Sequence, residues 1–208
     1  MTPDLFGAAP PPGLAYLPGF ALDEEARLIH AALAVAEISP LRAVATPGGR
    51  KMSVTMTNCG AAGWVSDARG YRYERCDPLT GQPWPNLPEP FLTLARAAAA
   101  QAGFPGFIPD VCLINRYAPG AKMALHQDRD EADMSTPIVS VSLGLAAVFL
   151  WGGAARTDKP ARLSLQSGDV VVWGGAARLN FHGVAPVRAG RHNLLGAARL
   201  NLTFRKAL

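Results

Sequence analysis

The chain has 208 residues, which suits one large domain, or one domain with an elaborated lid. A chain of this length buries about 70% of the surface its unfolded form exposes, so it needs no disulfide staples. With 49% hydrophobic residues, 17% charged residues and a net charge of +4, it is not a disordered acidic or basic chain, and its mild basic excess is compatible with a nucleic-acid partner without demanding one.

The 21 glycines and 18 prolines, set among recurring Val and Leu runs, lean toward a β fold over a helix bundle. No apolar run reaches the ~18 residues of a membrane span. The first thirteen residues, MTPDLFGAAPPPG, have no basic stretch and no long apolar stretch. They read as a flexible arm over 1–13, not as a secretory signal. Cys59, Cys76 and Cys112 are odd in number and form no CxxC pair, which supports neither a zinc finger nor a disulfide framework. Free thiols imply a reducing, cytoplasmic compartment.

The first predicted element is a helix over about 24–36, capped by Asp23, with Leu28, Ile29 and Leu33 on one face. Residues 40–88 are rich in Gly, Pro and aromatics and read as short strands and turns. A second helix is predicted over about 89–102, with Gly103 as its stop. From 110 onward the pattern becomes β. Strands are predicted over 111–117, 138–145, 147–153, 162–166, 169–175, 178–184 and 198–205. Helices followed by a run of antiparallel strands define an α+β chain, and a double-sheet jelly roll is the most economical β core.

The chemistry begins at His126-Gln127-Asp128. In an extended segment, residues 126 and 128 point to the same side. With His182, at the end of a predicted strand, they make a two-histidine, one-carboxylate set. That set suits non-haem Fe(II) and leaves positions open for oxygen and a bidentate co-substrate. Alone, HxD is more often the pattern of a surface turn pair. On the last strand, Arg199, Asn201, Thr203 and Arg205 share one face, while Leu200, Leu202 and Phe204 share the other. Two guanidiniums and an amide could cradle a small dicarboxylate, although by itself such alternation is more often a strand with one solvated face. Asn115 and Tyr117 could hydrogen-bond the same molecule from the strand over 111–117. Residues 50–75 interleave Arg50, Lys51, Arg69, Arg72 and Arg75 with Trp64, Tyr71 and Tyr73. Such a stretch can neutralise phosphates and stack on a base, or equally form a small core of its own. Lys122, Arg129, Arg156, Lys159 and Arg162 could extend the groove.

NRYAPGAKMALHQDRDE (115–131), PIVSVSLGL (137–145), GDVVVWGG (168–175) and LNLTFR (200–205) resemble the AlkB family of bacterial DNA dealkylases. So do TPGGRKMSVTMTNCG (46–60), GW at 63–64 and DP-x-TGQPWP (77–85). The resemblance runs from about residue 4 to 206. It implies a double-stranded β-helix (jelly-roll) core over about 110–208, with the helices packed outside. It also implies a nucleotide-recognition lid over about 40–88, in one dioxygenase domain over 14–208. Of the site residues, it implies His126, Asp128 and His182 for Fe(II), and Asn115, Tyr117, Arg199, Asn201 and Arg205 for 2-oxoglutarate. Arg205 would pair with the distal carboxylate of 2-oxoglutarate and Arg199 would help near the iron-bound end. Trp64, Tyr71, Arg72, Tyr73, Asp130 and Arg156 would contact substrate. Trp64 would pack on the flipped base and Asp130 would take its exocyclic amine. Leu200 and Asn180 stand where the family pattern has aromatic residues.

The implied activity is oxidative removal of N-alkyl groups of the 1-methyladenine and 3-methylcytosine type. It consumes 2-oxoglutarate and O2 and releases formaldehyde, succinate and CO2. The implied partner of a monomeric chain is alkylated single- or double-stranded DNA, with RNA left open and no membrane involved. A dioxygenase of the same chemistry acting on RNA, protein or a small molecule is the alternative, and a non-catalytic jelly-roll module is a second.

Overall fold

The computed structural model describes residues 11–208. The arm expected over 1–13 falls outside the described residues except for its last three. The elements in chain order are β1 (Leu14–Leu17), α1 (Glu25–Ile38), β2 (Arg42–Ala45), β3 (Lys51–Gly60), β4 (Gly63–Asp67), β5 (Gly70–Glu74) and α2 (Glu89–Gln101). They continue with β6 (Val111–Tyr117), β7 (Met123–His126), β8 (Ile138–Gly144), β9 (Ala147–Trp151), β10 (Ala161–Leu165), β11 (Val170–Trp173), β12 (His182–Val184) and β13 (Arg199–Arg205).

Two antiparallel sheets face each other. The larger runs β1-β11-β8-β13-β6-β3-β2 and the smaller runs β10-β9-β12-β7. Side chains alternate across the larger sheet, so it has two apolar faces. Leu200, Leu202, Phe204, Val139, Val141, Val170 and Val172 pack outward against Leu28, Ile29 and Val35 of α1 and Phe91 and Leu94 of α2. Ile138, Val171, Trp173 and Leu113 face inward, toward Phe149, Trp151, Leu163 and Leu165 of the smaller sheet. Phe91 meets Phe204 edge-on at 5.6 Å. Truncating a buried phenylalanine of this kind to alanine costs about 3–5 kcal/mol. This is the expected jelly roll with helices on its outer face.

Several boundaries differ from the sequence reading. Asp23 does not cap α1. Glu24 stands at the N-cap without a side-chain cap, and the Glu25 N–H goes to the Leu22 carbonyl at 3.2 Å. Leu33 lies on the solvent side, and Ala32 and Val35 complete the buried stripe. The stop at Gly103 is as expected: it adopts φ +88°, and the Phe104 N–H reaches back to the Ala99 carbonyl at 2.8 Å. β1 and β7 add strands that periodicity alone left unassigned. The strand predicted over 178–184 begins only at His182, because Gly175–Ala177 form a 3-10 turn that buries the Arg178 side chain. The region 40–88 divides. β3 pairs with β6 from Thr55 to Gly60 and buries Val54, Met56 and Cys59, so it is part of the main sheet. The separate hairpin is β4–β5.

Candidate active site

β12 and β7 lie side by side with His182 opposite His126, and the two imidazoles stand 4.4 Å apart. Asp128 follows two residues after β7. The ligand atoms of His126, Asp128 and His182 all fall within 4.8 Å of one another. Each histidine presents its Nδ1 to a carbonyl, Ala124 at 2.9 Å for His126 and Asn180 at 3.0 Å for His182. A carbonyl only accepts, so each Nδ1 carries the proton. Each Nε2 is therefore turned toward Asp128, 3.6 Å away in both cases. Desolvation, with His182 beside it, outweighs Asp128 and pushes His126 down to about 4, so it is neutral near pH 7 as a metal ligand must be. Burial alone would raise the Asp128 carboxyl. Arg205 and the two histidines outweigh burial and hold it well below the usual carboxylate range.

The polar row of β13 continues from this cluster. Arg205 donates to Asp128 Oδ2 through Nη2 at 2.7 Å and Nε at 3.2 Å. Further along, Asn201 lies opposite Asn115 and Arg199 opposite Tyr117. Asn201 donates to Ser140 and to the Val141 carbonyl, and accepts from Thr203. The Arg199 guanidinium lies 4.8 Å over the Tyr117 ring and donates one bond to Ser142. The sequence reading put Arg205 at the far end of the co-substrate and Arg199 near the metal. The geometry reverses that order, because Arg205 is held on the metal-ligating carboxylate itself.

Unpaired polar atoms test whether these residues fit the implied groups. Asn115 Oδ1, Arg199 Nε and Nη1, and Arg205 Nη1 are buried with no hydrogen-bond partner. No acidic side chain pairs with Arg199 among the described residues. A buried guanidinium with no acidic partner favours an anion beside it. A dicarboxylate running from the triad to Arg199 supplies one, so the residues fit.

These groups line one cavity of about 830 Å³ together with Trp64, Tyr71, Asp130 and Arg156. The lid hairpin stacks Trp64 on Tyr71 at 5.4 Å, and the Trp64 Nε1 donates to Asp130 Oδ2 at 2.8 Å. Arg156 donates to the Leu125 carbonyl and lies 4.9 Å over the Phe181 ring. Arg72 and Tyr73 do not line the cavity. Arg72 is engaged by Asp67 and Glu74 within the hairpin, and the Tyr73 hydroxyl donates to Glu131 at 2.8 Å. Of the basic residues read from the sequence, Arg50, Lys51, Lys122, Arg129 and Arg156 do line it.

Three residues went unassigned in the sequence reading. Asn58 clamps the backbone of Trp64 in both directions, at 3.0 and 3.1 Å. Glu131 and Arg178, at 3.0 Å, form a buried ion pair behind Asp128. Glu131 lies inside the HQDRDE string, which was the one available signal. Nothing local marked Asn58 or Arg178.

A triad of this kind suits a chelating keto acid, and Arg199, buried further along β13 without an acidic partner among the described residues, suits a second carboxylate. The class is that of Fe(II)- and 2-oxoglutarate-dependent dioxygenases. A family model described as the 2OG-Fe(II) oxygenase superfamily matches residues 13–205. The chain is 52% identical over 210 residues to the alpha-ketoglutarate-dependent dioxygenase AlkB of Escherichia coli K12, covering 98% of this chain and 97% of that one. It is 47% identical to the AlkB homolog of Caulobacter vibrioides, over 94% of this chain and 88% of the other. The solved structure of OsALKBH1 superposes with a TM-score of 0.80 at 32% identity, covering 95% of this chain and all of that one. An oxidoreductase of the 2OG-Fe(II) oxygenase family from Burkholderia pseudomallei shares the fold at a TM-score of 0.56, covering 92% of this chain and 84% of that one. The chain belongs to the AlkB family of this superfamily, and it is a dioxygenase that uses Fe(II), 2-oxoglutarate and O2.

Proposed function

We propose that this dioxygenase repairs DNA by removing N-alkyl groups of the 1-methyladenine and 3-methylcytosine type. The observation that carries the reading is the cavity itself. Its floor is the ligand triad, its wall is the stacked Trp64–Tyr71 pair with Asp130 beside it, and its lining includes Arg50, Lys51, Lys122, Arg129 and Arg156 besides the two arginines of β13. The names of the relatives point the same way, from AlkB itself to the DNA N(6)-methyladenine demethylase ALKBH1C of Arabidopsis thaliana and the nucleic acid dioxygenase ALKBH1 of Mus musculus.

His126, Asp128 and His182 would hold the iron. Arg205 would pair with the carboxylate nearest it, and Arg199 would close on the distal carboxylate. Asn115, Tyr117 and Asn201 would line the path between. Bound Fe(II) with 2-oxoglutarate and O2 supplies hydroxylation of the alkyl carbon, after which the hydroxymethyl group leaves as formaldehyde and succinate and CO2 are released. The chain's own residues do the positioning. A duplex hides the alkylated nitrogen, so the base must be extruded or already single-stranded. A methyl group on the pairing edge lowers that cost. Trp64 offers a stacking face to the extruded base, and Asp130 accepts from its exocyclic amine. Arg50, Lys51 and Lys122 neutralise flanking phosphates. Such lesions are cationic, and both a carboxylate and an indole face favour that charge.

We further propose one dioxygenase domain over 14–208, acting as a monomer in the reducing cytoplasm. The three unpaired cysteines support that setting. Among the described residues no helix is long and apolar enough to cross a membrane.

The test is an anaerobic mixture of protein, Fe(II), 2-oxoglutarate and a methylated oligonucleotide, started with oxygen. Mass spectrometry reads loss of one methylene, scored with formaldehyde and succinate. Methylene loss that vanishes in His126→Ala supports the reading. Succinate without methylene loss moves the substrate to RNA, protein or a small molecule.

A further inference from the structure

We propose that Glu131 is a positioning residue that couples closure of the lid hairpin to the metal site through Arg205. Its side chain is 2% exposed. Its two oxygens take two hydrogen bonds and one further ion-pair contact, from three separate parts of the fold. Oε1 accepts from the Tyr73 hydroxyl of the lid at 2.8 Å and pairs with Arg205 Nε of β13 at 3.2 Å. Oε2 accepts from Arg178 Nη2 at 3.0 Å. Arg178 in turn donates to the Asp128 carbonyl at 2.6 Å and the Thr136 carbonyl at 3.0 Å, which fixes the backbone of the metal-ligating residue.

Lid docking and the aim of Arg205 therefore share one oxygen atom. With Tyr73 seated, Oε1 has a neutral donor on one side and Arg205 Nε on the other. Arg205 is then held between Glu131 and Asp128, with its Nη1 buried and unpartnered. When the hairpin lifts, Oε1 loses a donor and its only near partner is Arg205, which it draws from Asp128. The charges balance as two guanidiniums, Arg178 and Arg205, against two carboxylates, Asp128 and Glu131. Removing one of the four leaves a buried charge uncompensated. The lid thus acts on the metal site without touching it, and Tyr73 serves the site from behind.

The part that concerns the lid rests on the proposed nucleic-acid reading; the part that concerns Arg205 does not. Two variants separate them. Glu131→Gln keeps the shape and removes the charge, and Tyr73→Phe removes one hydroxyl. The first measurement needs no turnover: the visible absorption of the Fe(II)–2-oxoglutarate chelate, titrated anaerobically with 2-oxoglutarate. Glu131→Gln should weaken binding of 2-oxoglutarate about tenfold and shift the absorption band, as expected for loss of a charge-assisted partner of Arg205. The second is the ratio of succinate to formaldehyde with a methylated oligonucleotide. Tyr73→Phe should raise it from near one to about three or more, with kcat reduced more than KM. The double variant should be no worse than Glu131→Gln, since both act along one path. An unshifted chelate band in Glu131→Gln, or lower melting temperatures with the ratio still at one, overturns the proposal. Should the wild-type protein release no formaldehyde, the nucleic-acid reading fails and the chelate titration alone decides on Glu131.

Discussion

The indole Nε1 of Trp64, on the lid, donates to Oδ2 of Asp130, on the loop behind the metal-binding strand, at 2.8 Å. The bond uses Oδ2 and not Oδ1. On the proposed function Trp64 would have two roles, a stacking face and a guide for a carboxylate. Trp64→Phe keeps the first and removes the second. A hydrogen bond to a charged group is worth about 1.5–3 kcal/mol, so the preference for bases with an exocyclic amine over bases with a carbonyl there should fall roughly ten- to a hundredfold. Asp130→Ala should lose the same preference. Competition between the two lesion types in one oligonucleotide mixture measures it; unchanged preference in both variants refutes the role.

Arg199 and Arg205 should respond differently to the shape of the keto acid. Arg199 has two idle buried donors and no acidic partner, whereas Arg205 is fastened to Asp128. Arg199→Met should raise KM for 2-oxoglutarate about a hundredfold, as expected for loss of a buried ion pair, yet leave 2-oxopentanoate, which lacks the distal carboxylate, little changed. Arg205→Met should impair both keto acids. Steady-state succinate release, or consumption of the monocarboxylic keto acid, reads the difference. Equal losses for both acids in Arg199→Met would return Arg199 to the metal end.

Iron and 2-oxoglutarate should stabilise the fold. A ligand at a hundred times its Kd adds about 2.7 kcal/mol, and each kcal/mol shifts Tm about 2–4 °C in a domain of this size. Melting under nitrogen should therefore rise by roughly 5–10 °C for each of the two and about 10–20 °C with both present, and a chelator should reverse it. Asp128→Asn should lose the whole shift, and Arg199→Met should retain only the share due to metal. A shift that survives in Asp128→Asn would place the metal elsewhere.

The acid limb of stability should depend on Asp77. Both of its oxygens accept from Arg42, at 2.8 and 2.5 Å, and the Leu79 N–H adds a third bond. The Arg42 guanidinium holds its carboxyl below the usual range. A carboxyl depressed in the folded state stabilises above its unfolded value and loses that contribution as pH falls through the folded one. Asp77→Asn should therefore cost about 1–3 kcal/mol at pH 7, and the gap to wild type should close below about pH 4. Urea unfolding at pH 7 and pH 3 measures it. A gap that is equal at both values rules out the ion pair as its source.

Much of this molecule is legible in one dimension because its signals are local. The alternation of β13 names both faces, and the Leu200, Leu202 and Phe204 side does meet the helices. Gly103 marks the end of α2 because only a residue at home at positive φ completes that turn. HxD puts two ligands on one side of an extended segment. What spacing leaves undecided is which distant groups meet. The 53 positions between Asp128 and His182 hold no clue that β12 pairs with β7, and that pairing closes the triad.

The class of chemistry, the ligand types and the β framework follow from side-chain identity and period. Their order and division of labour come from how the chain packs. Packing placed Arg205 on Asp128 and left Arg199 with idle donors. It drew β3 into the main sheet and turned Tyr73 away from the cavity onto Glu131. Those outcomes depend on where buried charges find their partners, and a buried charge is satisfied by proximity in space, which residue spacing does not encode.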